Sequence, residues 1–236
     1  MERVGYERRN EVAWIHMDDG AANVLGPAMQ SALHEALDRA SSEDLVTVLT
    51  GRDGVFSGGF DLEVMQSGDV EAIAEMVIGG FELARRILAH PRPVVIECTG
   101  HAVAMGLFLL LSGDYLIGPD QSIKLRANEV SIGLTLPHSA GVLLRHRLTP
   151  AAYERTAMLS VPIDVGVATQ VGALDELAEP GDLRVRTREV ADGLTKLEPS
   201  AQRATKAQIR SSVLQDIDAA LEADRKDFDD LAAAMA

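Results

Sequence analysis

A single cysteine, Cys98, is all the thiol that this 236-residue chain carries. No internal disulfide can form, no cysteine-built metal cluster is available, and a reducing, cytoplasmic setting is the expectation. Aromatic residues make up 4% of the chain, too few for stacking on bases or sugar rings to be its main mode of recognition. Positive charge is also short. Against 36 Asp and Glu stand 22 Lys and Arg, a net charge of −14, which argues against a nucleic-acid backbone or an anionic membrane as partner. The longest apolar run, Ala102 to Leu111, is broken by Gly106 and falls far below the roughly 20 residues of a membrane-spanning helix. The opening Met1-Glu-Arg-Val-Gly-Tyr6 lacks the apolar stretch of a secretory signal. Missing too are the G-x-x-x-x-G-K-[ST] phosphate loop, G-x-G-x-x-G and H-E-x-x-H.

What is present is enough apolar residue, 47% of the chain, to bury a sizeable core. Tyr6 to Arg9 and Val12 to Met17 alternate as a hairpin about Asn10-Glu11, followed by a turn at Asp18-Asp-Gly20. Pro27 starts a helix in which Met29, Leu33, Ala36 and Leu37 share a face. Leu45 to Thr50 is β-branched enough to be a buried strand. Asp69 can cap a long helix that ends at Pro91-Arg-Pro93, and Val94 to Ile96 is a short strand. Asp114 to Ile117 reads as another strand, and helices start near Pro137, Pro150 and Asp164. Strand, glycine turn, helix thus recurs, which predicts an α/β architecture.

Pro180-Gly181 is the best candidate boundary, dividing a core (1–181) from a helical region (182–236). In the last helix Leu214, Ile217, Leu221, Phe228, Leu231 and Met235 form a stripe to bury, against this chain's core or another subunit. Asp216, Asp218, Glu222, Asp227, Asp229 and Asp230 read most simply as its solvated face.

Chemistry concentrates in three places. Thr50 to Leu62 carries Gly51, Gly54, Gly58 and Gly59 before the helix start at Asp61-Leu62-Glu63. Such a turn can aim free N–H groups at an oxygen that gains negative charge, and it can equally be a plain strand-to-helix loop. Ser57 looks like a nucleophile elbow, but Val55 stands where G-x-S-x-G needs glycine. A second glycine-bearing turn, Gly100 to Gly106, leads into another helix. Glu129, among Ala127, Val130, Ile132 and Leu134, is either a carboxylate with a raised pKa, fit for general acid or base work, or an exposed or paired charge.

These segments resemble the crotonase superfamily, the enoyl-CoA hydratases and isomerases. Val55-Phe-Ser-Gly-Gly-Phe-Asp-Leu62 is similar to F-[SC]-A-G-x-D-L. Gly100 to Gly106 with Ser112-Gly-Asp114 is similar to N-G-x-A-x-G-G-G…C-D, and Asn128-Glu129 through Gly133 to Pro137 to P-E-x-x-x-G-x-x-P. The N-E form is more like the isomerases. The resemblance covers nearly the whole chain and implies a spiral of repeated ββα units with a C-terminal helical region. It also implies an acyl-CoA substrate, no separate cofactor or metal, a place in fatty-acid metabolism, and a trimer or hexamer. By motif position the thioester oxygen would rest on the N–H groups of Phe60 and Met105, and Phe60, Asp61, Leu62, Glu63 and Met105 would line the substrate site. Met105 would reshape the acyl pocket.

One departure bears on the reaction. Hydratases of the family carry two glutamates that hold and activate water, and this chain has Phe108 at the second position. Phenylalanine moves no proton, so Glu129 shuttling a proton between two carbons, as in the isomerases, is favoured over the lyase (hydratase) reaction. Three residues could stand in for the missing acid: His101, His138 and Glu97, the last an odd carboxylate where the family has a small residue. Arg52, Lys124 and Arg126 could meet CoA phosphates, and Asp114 matches a structural position. A hydratase or another crotonase reaction using Glu129 and water, such as hydrolysis, and an acyl-CoA-binding protein without turnover, stay open.

Overall fold

The first hairpin forms where alternation predicts it, with β1 (Val4–Arg9) and β2 (Val12–Met17) antiparallel about Asn10. The computed structural model describes residues 3–235, so the outermost residues of the two expected regions, 1, 2 and 236, lie outside it. Helix α1 (Pro27–Ser42) opens on proline and buries Met29, Leu33, Ala36 and Leu37. The β-branched run becomes β3 (Val46–Thr50), buried throughout.

The next stretch departs from expectation. Gly54–Ser57 and Gly100–Val103 lie within the segments read as glycine turns, yet they are strands, β4 and β6. Each has four residues, too few to show alternation. Their glycines serve a close approach of backbones as well as turning: a Cβ on Gly100 would lie 2.0 Å from the carbonyl carbon of Gly54.

Between and after them come α2 (Leu62–Met65), α3 (Val70–Ala89), β5 (Val94–Glu97), α4 (Met105–Leu111), β7 (Tyr115–Pro119) and β8 (Leu125–Arg126). A 3₁₀ turn (Val130–Ile132), α5 (His138–Arg147), α6 (Pro150–Leu159), α7 (Val165–Val171), β9 (Glu176–Ala178), α8 (Leu183–Leu194) and α9 (Pro199–Met235) complete the chain. The Asp69 and Asp164 side chains cap α3 and α7.

One sheet has the order β1-β2-β3-β5-β7-β9, parallel from β2 onward, and a smaller parallel sheet has the order β4-β6-β8. Each repeat therefore sends one strand to the large sheet, the next to the small sheet, and then a helix back: β3-β4-α3, β5-β6-α4, β7-β8-α5. One face of the large sheet (Ile15, Leu49, Ile96, Leu116) joins the main core with α1, α3 and α4. The other (Trp14, Val46, Val48, Val95, Ile117) lies under Leu183 and Ala191 of α8. Helix α9 runs along α3 and α5, burying Ile217 and Leu221 while Leu231 and Met235 stay exposed. Its acidic positions are not simply solvated: Asp218 pairs with Arg85 and Asp216 lies 3.5 Å from Arg145. No helix among the described residues is long and apolar enough to cross a membrane.

Candidate active site

The three strands of the small sheet are parallel and end at one edge, where ligands of α/β sheets gather. Phe60 follows β4 by three residues, Met105 follows β6 by two, and Glu129 follows β8 by three. Adjacent strands lie about 4.8 Å apart, so the ββα repeat itself sets these three positions at the same edge of the small sheet.

The first two form a tight pair of backbone turns. Gly59 takes φ of +100°, and a Cβ there would sit 2.9 Å from the Val103 oxygen and 3.4 Å from the Met105 nitrogen. Only glycine fits. Opposite it, Ala104 takes φ of 50° and ψ of −126°, a conformation that costs of order 1–3 kcal/mol outside glycine. Among the described residues neither the Phe60 N–H nor the Met105 N–H donates to a protein acceptor. Two unspent donors at the edge of a buried turn can hold one oxygen. Ser57 supports this turn: its buried hydroxyl donates to the Asn23 carbonyl at 2.7 Å and accepts from the Gly59 N–H at 3.2 Å. That engagement also disposes of a nucleophilic serine.

The side chains of this pair pack on α3. A Cβ on Gly80 would meet the Phe60 ring at 2.6 Å and Met105 Cγ at 3.4 Å, so Gly80 makes room for both. The Phe60 ring stands edge-on to Phe81 at 6.3 Å, and Phe81 packs on Phe108 at 5.8 Å. Phe108 is 1% exposed. Asp61 caps α2 by accepting from the Glu63 N–H at 2.9 Å, and Leu62 and Glu63 are exposed beside it.

Glu129 is 8% exposed, and its Oε2 has no protein partner. Burial pushes its carboxyl above the ordinary range, and its own backbone N–H and that of Asn128 offset this only in part. The other candidates are engaged elsewhere. His101 Nδ1 accepts from the Lys124 N–H at 2.9 Å. The His138 ring points at α9, with Nε2 3.3 Å from Asp227. Glu97 lies on the α8 side of the large sheet, where Oε1 accepts from the Thr50 hydroxyl at 2.8 Å and faces Arg184 at 3.3 Å. Asp114 accepts from the Val94 N–H and binds Lys206 and Arg210. Arg52 donates to the Ala21 carbonyl at 3.0 Å, Arg126 to the Ser160 carbonyl at 3.2 Å, and Lys124 is exposed.

A family model described as enoyl-CoA hydratase/isomerase matches residues 7–235. The chain belongs to the enoyl-CoA hydratase/isomerase family. Its crotonase fold is shared with an enoyl-CoA isomerase of Mycobacterium tuberculosis, 42% identical with a TM-score of 0.90 over 94% of this chain and 97% of that one. An enoyl-CoA hydratase of Mycobacterium ulcerans is also 42% identical, with a TM-score of 0.92 over 96% and 99%. Enoyl-CoA delta isomerase 3 of Arabidopsis thaliana is 31% identical over 65% of this chain and 67% of its own. The relatives carry both reaction names, so membership of the enoyl-CoA hydratase/isomerase family leaves the reaction to be argued from the site.

Proposed function

We propose that the protein moves the double bond of a 3-enoyl-CoA thioester into conjugation, with Glu129 as proton carrier. The observation that carries this reading is Phe108, buried against Phe81 where the hydratase pattern puts its second glutamate. The engagement of His101, His138 and Glu97 elsewhere supports it.

In this reading the Glu129 carboxylate takes a proton from the α-carbon, and the electron pair moves onto the thioester oxygen to give a dienolate. The Phe60 and Met105 N–H groups form the oxyanion hole that stabilises that charge, backed by the N-terminal end of α4. The protonated Glu129 then returns the proton to the γ-carbon, and the enzyme ends as it began. A carboxyl with a raised pKa suits both halves, since base and acid strength are better matched to weakly acidic carbon. Phe60, Asp61, Leu62, Glu63 and Met105 line the substrate site in this scheme, and no cofactor beyond the substrate's own CoA is called for. The exposed Leu231 and Met235 on α9 support a trimer or hexamer, and the buried thiol of Cys98 suits a reducing cytoplasm.

Incubation with 3-enoyl-CoA, followed by the absorbance of the conjugated thioester, tests the proposal. Conjugated product is the expected result. Formation of 3-hydroxyacyl-CoA from 2-enoyl-CoA at a comparable rate would make it a hydratase, and binding without turnover would leave a carrier of acyl-CoA.

A further inference from the structure

We propose that Asp224 of α9 is a positioning residue for the loop that carries Glu129, so that the C-terminal helix is part of the catalytic apparatus; this rests on the reading of Glu129 as the base. The loop from Glu129 to Pro137 is pinned at its start. The Glu129 carbonyl accepts from the N–H groups of Ile132 at 3.1 Å and Leu134 at 2.9 Å, and the Ser131 N–H donates to the Ser160 hydroxyl at 3.2 Å. Gly133 then reverses the chain with φ of +85°, and the loop runs into α5.

At that far end the sequence supplies no cap. Pro137 occupies the N-cap position and has no side-chain acceptor for the first amides of α5. Asp224 supplies it from 85 residues and more away: its two oxygens accept from His138 N–H at 2.7 Å and Ser139 N–H at 3.0 Å. The carboxylate is 3% exposed, so these are sheltered, charge-assisted bonds at the positive end of a helix. One turn on, Asp227 meets the His138 ring at 3.3 Å. The loop carrying the base is thus held between Ser160 at one end and Asp224 at the other. Without Asp224, the His138 and Ser139 amides lose their acceptor, the second of them buried, and the exit of the loop is free to shift. A shift of about 1 Å in a catalytic group can cost on the order of 100-fold in rate.

The test uses the full-length chain, 3-enoyl-CoA as substrate, and amide hydrogen exchange across residues 130–139. In Asp224→Ala, kcat is expected to fall roughly 10- to 100-fold with KM within about twofold, and exchange in that segment to rise about tenfold or more. Asp224→Asn keeps one acceptor oxygen and is nearly as good a cap, so it should fall only about threefold. A kcat for Asp224→Ala within twofold of wild type would overturn the assignment, as would an Asp224→Asn variant as impaired as the alanine one. Should the alanine variant not fold, the asparagine variant decides: a kcat equal to wild type overturns the assignment, and a partial loss at unchanged KM supports it. If the wild type converts no 3-enoyl-CoA, it is the functional reading that fails. The exchange measurement then decides alone, with unchanged protection of 130–139 in Asp224→Ala as the contradicting result.

Discussion

Glu97 and Glu129 are both withdrawn from water, at 1% and 8% exposure, and each leaves Oε2 without a protein partner. Their other contacts separate them. Glu97 accepts a hydroxyl hydrogen bond from Thr50 and faces the Arg184 guanidinium, which in turn stacks over Trp14 at 4.7 Å. It ties α8 to the large sheet. Glu129 has only backbone amides of its own turn to offset its desolvation. Burial alone therefore does not mark a catalytic carboxylate. What distinguishes the two is whether a cation and a hydroxyl donor complete the charge, as at Glu97, or neither does, as at Glu129.

The contrast is broken most readily by neutralising each in turn. Glu129→Gln should lower the isomerisation rate by about 10²- to 10⁴-fold, the usual contribution of a positioned acid–base group. Glu97→Gln should leave the rate within a few-fold, as steady-state kinetics on one substrate would show. Stability should rank the two residues the other way. Arg184→Ala strands the Glu97 carboxylate and should cost about 2 kcal/mol in denaturant unfolding. The figure is set below that for a fully buried pair because the Arg184 side chain is 43% exposed. A smaller effect, of opposite sign, is expected at Glu129. Its carboxyl is held above the ordinary range, so folding favours the protonated form. That contribution is complete below the ordinary carboxylate pKa and is lost as pH rises through the raised folded value. Glu129→Gln, neutral at every pH, should match wild type in acid and melt higher near neutrality. Thermal unfolding at a series of pH values checks it.

Much of this was legible in the chain itself. Spacing placed α1 and its buried face, Asp69 and Asp164 announced their helices, and the motif positions named Phe60, Met105 and Glu129 as the candidates. The ββα repeat explains why residues so far apart in sequence lie at one edge, since all three follow strands of one small parallel sheet. Other features were hidden for physical reasons. β4 and β6 are four residues each and open on glycine, so they look like turns. The strained Ala104 carries no mark of its positive φ. Ser57 resembles a nucleophile because a hydroxyl that braces a turn and one that attacks are the same group in sequence. Asp224 was lost in an acidic run whose members read as solvated, although its carboxylate is among the most buried in the molecule.

In the proposed reaction a single carboxylate carries the proton between two carbons of the substrate. Conversion of 3-enoyl-CoA deuterated at the α-carbon, run in ordinary water and read by mass spectrometry and NMR of the product, tests it directly. The expected product is a 2-enoyl-CoA with part of the deuterium at the γ-carbon. Product with no deuterium there, or 3-hydroxyacyl-CoA in its place, would contradict it.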